Sequence, residues 1–193
     1  DLFIGISVTG KLAGARYFGR DKARRGDLIA VTGKLGEAAL GLKVLKEGGD
    51  ATGMKNCVRR FLSPAPPYGL WKEIVKDDIT DVMMDVSDGL ILDLSRMMDE
   101  SRKQARIHWE KVPMPRPLRQ RGLEELAFGG GEDYQLLFTF PREKLPVVAA
   151  MIDKGRAVTI IGEVVSGRGV RVYRHGSEVT SPPGGYDHFG GRL

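Results

Sequence analysis

Cysteine, aromatic residues and long apolar runs are all scarce in this 193-residue chain. Cys57 is its single cysteine, so no intramolecular disulfide can form, and a reducing cytoplasm is the expected location. Aromatic residues make up 7% of the sequence and are not interleaved with basic ones, as stacking on single-stranded nucleic acid would require. No apolar run approaches the roughly 18 residues that cross a bilayer. We therefore expect a cytoplasmic protein that binds neither nucleic acid nor a membrane.

Two common kinds of functional site are also missing from the sequence. The three histidines, His108, His175 and His188, have no spacing that suits a zinc ion. No GxxxxGK[ST] segment is present, which excludes a P-loop. Any phosphate chemistry in this chain must therefore use another kind of site.

Positive charge is in modest excess. The sequence has 30 Lys and Arg residues against 25 Asp and Glu, a net charge of +5. This balance favours anionic partners, which include nucleotides and phosphate esters as well as nucleic acid. A cluster of Arg20, Arg24 and Arg25 precedes the first buried apolar run, and guanidinium groups pair with phosphate oxygens in bidentate geometry. The alternative interpretation of this cluster is a solvated basic face.

Apolar periodicity predicts alternating strands and helices, as in an α/β (α+β) domain. Residues 28–31 form a short apolar run typical of a buried strand, whereas apolar residues from 35 to 45 recur at helical intervals of three and four. The predicted strands are 2–8, 28–31, 79–84, 105–109, 134–140, 158–165 and 170–174, and the predicted helices are 35–45, 53–62, 69–75, a helix that begins at 90, a polar stretch that ends near 126, and 142–154.

The predicted strand 79–84 runs into a turn that carries Asp85, Ser87 and Asp88. Carboxylates at this spacing suit Mg²⁺, which takes one or two carboxylates and completes its shell with water and substrate phosphates. A helix follows directly, and its N-terminus favours a bound phosphate. Ser87 or Asp88 is equally well explained as an N-cap, because Ser and Asp are favoured there. The residues alone leave both interpretations open.

A second motif consists of three glycines at 129–131 followed by Glu132, Asp133 and Tyr134. Glycines allow a ligand to approach the backbone closely, and two acids beside an aromatic ring would suit a ligand. An ordinary loop with solvated acids is the alternative. The C-terminal segment 186–189 is also unusual for a tail, because it combines two aromatic residues with an acid and a histidine.

Together these motifs resemble the thiamine-monophosphate kinase family. The resemblance is carried by DVSDGL at 85–90, GGEDY at 130–134 and GYDHF at 185–189, in that order and at similar separations. That family belongs to the superfamily that includes aminoimidazole ribonucleotide synthetase and selenophosphate synthetase. The resemblance therefore implies the C-terminal domain of the aminoimidazole ribonucleotide synthetase-like fold, with a mixed sheet and packed helices.

The resemblance also implies a reaction and a domain organisation. The terminal phosphoryl group of ATP would pass directly to the phosphate of thiamine monophosphate, in the presence of Mg²⁺, to give thiamine diphosphate. Residues 1–24 would be the last strand and linker of an N-terminal ATP-binding domain, and residues 25–193 would be the C-terminal domain. In the family the N-terminal domain forms a dimeric barrel, so we expect a homodimer for the full-length protein.

The resemblance implies two groups of site residues. One group binds the nucleotide and the metal, and the other binds the acceptor. Asp85 and Asp88 would be Mg²⁺ ligands, with Asp88 acting as the catalytic residue. Ser87 would contact ATP, and Arg20 would contact its phosphates.

On the acceptor side, the resemblance implies that Glu132 holds the thiamine moiety and that Phe189 packs against its ring. Gln135 departs from the family, which usually has an acid there, and Gly129 lengthens the glycine run. We expect both changes to be tolerated, because Gln135 would lie on a strand face away from Glu132.

A larger departure is the absence of the upstream half, which in the family carries most of the metal-binding aspartates. We therefore expect the chain to be inactive by itself. Two alternative functions stay open: another ATP-dependent enzyme of the same superfamily, acting on an amide or a selenide, and a non-catalytic basic domain that binds nucleic acid or a protein partner.

Overall fold

The computed structural model of the chain describes residues 3–10, 17–48, 52–180, 182 and 184–185. Short 3-10 turns precede α5 and α7 in the order of elements that follows. The elements are β1 (Leu28–Thr32), α1 (Glu37–Lys46), α2 (Lys55–Leu62), α3 (Tyr68–Lys76), β2 (Val82–Val86), α4 (Leu90–Ser101), β3 (Gln104–His108), α5 (Arg116–Gln120), α6 (Leu126–Gly129), β4 (Gln135–Phe140), α7 (Leu145–Asp153), β5 (Val158–Val165), β6 (Gly169–Arg174) and β7 (Ser177–Glu178).

These strands form one mixed sheet in the order β2-β4-β1-β5-β3-β6-β7. β1 pairs antiparallel with both β4 and β5, whereas β3 and β6 are parallel. The expected fold class, a mixed sheet with packed helices, is confirmed. β2 lies at the edge of the sheet with β4 as its neighbour, so the segments that follow β2 and precede β4 emerge side by side.

Helices cover both faces of the sheet, which explains why β1 is buried along its whole length. Successive side chains of a strand point to opposite faces. Ile29 and Val31 accordingly pack into a core with α1, α2 and α4, while Leu28 and Ala30 pack into a second core with α3 and α7. In the described part of the chain, no helix is both long enough and apolar enough to span a membrane.

The strand predicted at 2–8, whose partners were expected in a preceding domain, is not formed in this chain, because the described residues 3–8 form neither strand nor helix. Phe3, Ile4, Ile6 and Val8 expose 73–93% of their surface. A strand is stable only when its backbone groups are paired in a ladder, and no described residue pairs with this segment. The alternating apolar pattern is therefore present without the neighbouring strand that it needs.

The strand predicted at 79–84 begins three residues later, at Val82. Thr80 explains the shift, because its hydroxyl accepts the amide of Val82 at 2.8 Å and donates to the carbonyl of Thr139 at 2.5 Å. A side chain that bonds to the nearby backbone replaces the ladder at this point. The segment before β1 also contacts the sheet: Gly19 forms a parallel bridge with Val82, and Ala23 is buried in the core.

Candidate functional site

The two acidic motifs meet where β2 and β4 run side by side. The last register pair of these antiparallel strands is Val86 with Gln135. Beyond it, the amide of Tyr134 donates to the carbonyl of Val86 at 2.9 Å, and the amide of Glu132 donates to the carbonyl of Ser87 at 2.8 Å. Backbone pairing therefore joins the turn after β2 to the glycine loop before β4.

Two glycines allow the turn and the loop to come this close. A Cβ atom on Gly131 would overlap the carbonyl oxygen of Ser87, and one on Gly89 would lie 2.9 Å from the carbonyl carbon of Gly129. Gly89 also has a φ of +115°, which residues with a side chain rarely adopt. Gly131, one of the three glycines predicted to admit a ligand, thus serves first to bring two segments of the protein together.

A buried aspartate that sequence reasoning missed shapes the turn. Asp93, in the first turn of α4, is fully buried, and its Oδ2 accepts the amides of Ser87 at 3.0 Å and of Asp88 at 2.9 Å. Arg96 Nη1 lies 2.5 Å from Asp88 Oδ2 and 2.9 Å from Asp93 Oδ1, so one guanidinium bridges both carboxylates. Asp93 and its partner Arg96 therefore fix the conformation of the turn.

The capping interpretation of Ser87 and Asp88 is wrong. The N-cap residue of α4 is Gly89, and no side chain makes a capping hydrogen bond there. The amides of Ser87 and Asp88 are instead bound by Asp93, and the Asp88 carboxylate pairs with Arg96. Asp93 could have been found from the sequence, since it lies on the apolar face of α4, where a charged residue is expected to have a partner.

The carboxylates around the turn create a region of negative potential. Burial raises the pKa of Tyr134, and the nearby charges of Glu132, Asp85 and Asp88 raise it further. Tyr134 also donates its hydroxyl to Glu132 Oε2 at 3.1 Å. These three carboxylates add negative charge near the Tyr134 hydroxyl, although the charge of Asp88 is offset by Arg96.

Asp85 and Asp88 provide the kind of oxygen ligands that Mg²⁺ takes. Among the described residues, no three His, Cys, Asp or Glu side chains are grouped as a complete metal site. Mg²⁺ needs fewer, since one or two carboxylates suffice when water and phosphate complete its shell. Asp85 is exposed, whereas the Asp88 side chain is 17% exposed and its Oδ2 pairs with Arg96 at 2.5 Å. The donor set fits Mg²⁺ as part of a shell.

A cleft of about 690 Å³ opens beside the joined motifs, a size suited to a small organic ligand. Ser87, Asp88 and Glu132 contribute its polar side. The remaining lining residues come from α1, α2, α6 and the glycine loop: Ala38, Ala39, Leu42, Lys43, Lys46, Glu47, Phe61, Leu126, Gly129, Gly130 and Gly131. The apolar wall of the cleft, which includes Leu42 and Phe61, is accompanied by the charged residues Lys43, Lys46 and Glu47 as well as by the carboxylates.

Asp133, which the sequence left as a candidate solvated acid, is buried. Its carboxylate accepts the amide of Gly36 at 2.5 Å and that of Ala38 at 3.1 Å, at the start of α1. Burial raises its pKa to about 7, although these amides oppose the shift. The sequence carried no signal for this burial, since Asp133 and Gln135 are polar residues at positions that the structure buries.

Gln135, the departure from the family pattern, is buried away from the cleft. Its Oε1 accepts the hydroxyl of Thr32 at 2.9 Å, and its side chain fills the space beside Gly33. Glu132 is exposed, so the two side chains do lie on different sides of the backbone, as expected.

The structure does not bring Arg20 to the turn. Its carbonyl oxygen accepts the hydroxyl of Ser101 at 2.7 Å, at the last residue of α4. This helix has 12 residues and is about 18 Å long, and Asp88 lies beyond its other end. Arg24 and Arg25 are exposed in the turn before β1. A contact of Arg20 with nucleotide phosphates stays a prediction.

Phe189 lies outside the described residues, as does the rest of 186–190. The segment that leads to it is described at Gly185, where a Cβ atom would lie 2.8 Å from the carbonyl oxygen of Asp88 and would also overlap Leu92. The chain therefore passes directly over the Asp88 turn just before the aromatic residues of the third motif.

The fold and the joined motifs agree with comparisons to known proteins. Residues 24–175 match the family described as AIR synthase related protein, C-terminal domain, and the chain belongs to this family. More particularly, it is similar to the thiamine-monophosphate kinase of Aquifex aeolicus (strain VF5), with 36% identity over 195 residues that cover 96% of this chain and 59% of that protein. The resemblance inferred from the three motifs is confirmed.

Solved structures extend the similarity to three dimensions. One described as AaThiL complexed with AMPPCP and TMP is 34% identical, with a TM-score of 0.74, and the match covers 90% of this chain and 55% of that one. Thiamine-monophosphate kinase from Stenotrophomonas maltophilia K279a is 27% identical, with a TM-score of 0.72, covering 84% of this chain and 54% of that one. The chain spans about 60% of the length of the curated relatives it matches.

Proposed function

We propose that this chain is the C-terminal part of a cytoplasmic kinase that transfers the terminal phosphoryl group of ATP to thiamine monophosphate, giving thiamine diphosphate. The observation that carries the proposal is the joining of the end of β2, which carries Asp85, and the turn with Ser87 and Asp88 to the Glu132 loop, beside a cleft of small-molecule size. The relatives named thiamine-monophosphate kinase support the choice of acceptor. Because those relatives are longer, we propose the activity for a homodimeric polypeptide with a preceding domain, and inactivity for this chain alone.

The acceptor would occupy the cleft with its ring against the apolar wall. Leu42 and Phe61 line that wall, and Glu132 lies on the polar side. A carboxylate offsets the positive charge of a thiazolium ring or accepts hydrogen bonds from an aminopyrimidine. Phe189 would pack against the same ring, since Gly185 brings the C-terminal segment to the turn. An aromatic face attracts a cationic ring.

The phosphate groups would lie at the turn. Asp85 and Asp88 would hold Mg²⁺ together with phosphate oxygens and water. Ser87 lines the cleft and would contact ATP, and its amide is held in place by Asp93. Arg20 would contact nucleotide phosphates only away from this turn, because it lies at the opposite end of α4 from Asp88.

The chemistry requires little covalent help from the protein. The bond between the terminal phosphorus of ATP and its bridging oxygen breaks while an oxygen of the acceptor phosphate forms a new bond to that phosphorus, and ADP leaves. The acceptor oxygen is already ionised at neutral pH, since the second pKa of a phosphate monoester is about 6, and no side chain has to remove a proton. Bound Mg²⁺ supplies positive charge that reduces repulsion between the phosphates. The residues of this chain orient both substrates.

The reaction is tested by incubating the complete polypeptide, with its upstream domain, with ATP, Mg²⁺ and thiamine monophosphate and separating the products by chromatography. We expect thiamine diphosphate from the native protein and at least a hundredfold less from Asp88→Ala, because that variant lacks a metal ligand. Asp99→Ala is the matched control, since Asp99 is exposed further along α4, and it should keep the native rate within about twofold.

Other outcomes would contradict the proposal. Formation of thiamine diphosphate at the native rate in Asp88→Ala would show that Asp88 is not a metal ligand. ATP consumption that does not respond to thiamine monophosphate but does respond to an amide or a selenide would favour a sister activity of the superfamily. Steeply salt-dependent binding to DNA or RNA, unchanged in Asp88→Ala and without turnover, would favour a non-catalytic basic domain.

A further inference from the structure

The backbone on either side of Asp133 adopts a conformation that its residues disfavour. Glu132 has a φ of +70° and Tyr134 a φ of +49°, both in the left-handed region. This region costs residues other than glycine about 1–2 kcal/mol each. Such conformations persist only where surrounding contacts enforce them. Contacts around this short segment must therefore hold it.

Backbone contacts account for one side of the segment. The amides of Glu132 and Tyr134 donate to the carbonyls of Ser87 and Val86, which fixes the segment along the end of β2. These two hydrogen bonds do not determine the direction in which the backbone turns between Glu132 and Tyr134. The Asp133 side chain, which points in the opposite direction from the exposed Glu132, supplies the remaining contact.

That contact is made at the beginning of α1. Gly36, with a φ of +82°, precedes the helix, and its amide and that of Ala38 donate to the Asp133 carboxylate, with the amide of Glu37 beside them. Successive amides that converge in this way form a strong site for an anion. The protein's own carboxylate fills this site, so a substrate phosphate has no place there.

We propose that Asp133 is a positioning residue, which ties the glycine loop to the N-terminus of α1 and thereby fixes Glu132 at the rim of the cleft that α1 helps to form. Ala38 connects the anchoring contact to the cleft, because its amide binds Asp133 and the same residue lines the cleft. What Glu132 binds rests on the proposed function, but its placement by Asp133 does not.

The first test follows the backbone of the loop without reference to any reaction. Amide hydrogen exchange is measured on the native chain, on Asp133→Asn and on the control Asp153→Asn, whose site at the end of α7 is exposed. Asparagine keeps the volume but replaces one of the two acceptor oxygens with an NH2 group, which cannot accept the amide of Gly36 or of Ala38. We expect the amides of Glu132 and Tyr134 to exchange at least about tenfold faster in Asp133→Asn and at the native rate in the control.

The second test is a double-mutant cycle on the complete polypeptide, combining Asp133→Asn with Glu132→Gln. Each single variant should raise the KM for thiamine monophosphate by about tenfold, with little change in kcat. In the double variant, Glu132→Gln should add little to the KM, because a misplaced side chain no longer contributes. A residue that only stabilised the fold would give multiplicative effects.

The two tests separate failure of this inference from failure of the proposed function. Unchanged exchange at Glu132 and Tyr134, or multiplicative effects on the KM, would overturn the role of Asp133. If the native polypeptide does not turn over thiamine monophosphate, the proposed function fails and the exchange measurement alone decides the inference. Should Asp133→Asn not fold, Asp133→Ser takes its place, since the serine hydroxyl lies one bond nearer the backbone and cannot accept both amides.

Discussion

Burial raises the pKa of the Asp133 carboxyl to about 7, from a reference value of 3.8. The folded protein therefore holds this proton more tightly than the unfolded chain does. Stability that depends on this group is fully present below about pH 4 and is lost as the pH rises through 7. The same carboxylate that anchors the glycine loop thus lowers stability when it is charged.

The pH dependence is measured as the free energy of unfolding in urea at pH 5 and pH 8. Between these values the native chain should lose roughly 1–3 kcal/mol relative to Asp133→Asn, because asparagine does not titrate. Asp153→Asn should follow the native profile. Parallel profiles for the native chain and Asp133→Asn would show that the Asp133 carboxyl titrates in its ordinary range.

Arg96 offers a second prediction at the scale of single residues. Replacing it with glutamine removes the guanidinium shared by Asp88 and the buried Asp93. We expect a loss of about 1–2 kcal/mol in unfolding free energy, at the low end for such a pair because the Arg96 side chain is 40% exposed. Arg116→Gln, at an exposed site at the start of α5, is the control. Equal stability of the two variants would show that Asp93 does not need this partner.

The sequence was most informative for residues that belong to a motif. Asp85, Ser87, Asp88 and Glu132 are recognisable from their neighbours alone, and the structure brings them together. Asp93 also stands out as a charged residue on the apolar face of α4, but its partners are the amides of a turn, which the sequence does not identify. The partners of such a supporting residue are therefore found only once the backbone has been traced.

Among whole elements, the contact between the turn and the glycine loop gives a steric prediction. A Cβ atom at Gly131 would overlap the carbonyl oxygen of Ser87, and backbone cannot move aside as a flexible side chain does. We expect Gly131→Ala to lower unfolding free energy by about 1–3 kcal/mol. The same variant of the complete polypeptide should raise the KM for thiamine monophosphate.

Gly69→Ala is the matched control, because a Cβ at Gly69 meets nothing within 4 Å and the residue lies in α3. Alanine should be neutral or stabilising by up to about 1 kcal/mol there, since it favours the helix. Equal effects of the two substitutions, measured by urea unfolding, would contradict the close approach of loop and turn.

Elements themselves were largely predictable, and their ends less so. The apolar intervals of α1 and α4 and the apolar run of β5 were sufficient to locate these elements. The beginning of β2 was not predictable, because it depends on a hydrogen bond from Thr80 to Thr139, which lies on a different strand. Local periodicity contains no information about such a distant partner.

Across the whole molecule, the exposed apolar segment at 3–8 is separate from the two cores. We expect deletion of residues 1–10 to change the melting temperature of the chain by less than about 2 °C, because the segment has no ladder to lose. Self-association, measured by sedimentation at increasing concentration, should decrease, since exposed apolar segments promote it. A large fall in melting temperature would show that the segment contributes to the fold.

The order of the strands could not be deduced from the sequence. Alternating strands and helices usually indicate parallel crossovers, yet this sheet is mainly antiparallel and has β2 at one edge. The site depends on that order, because it is the pairing of β2 with β4 that joins the two motifs. The resemblance to a known family, rather than periodicity, supplied the correct class of fold.

Because Val86 pairs with Gln135, the sheet holds the two halves of the site together, whatever the length of the chain that connects them. The connection between these residues contains α4, β3, α5 and α6, and lengthening one of its exposed turns costs little, since each doubling of a flexible loop adds about 0.6 kcal/mol. Insertions between β3 and α6 would therefore leave the relative positions of Ser87 and Glu132 unchanged. A search for distant proteins with this arrangement should hold each motif fixed and allow the interval between them to vary freely.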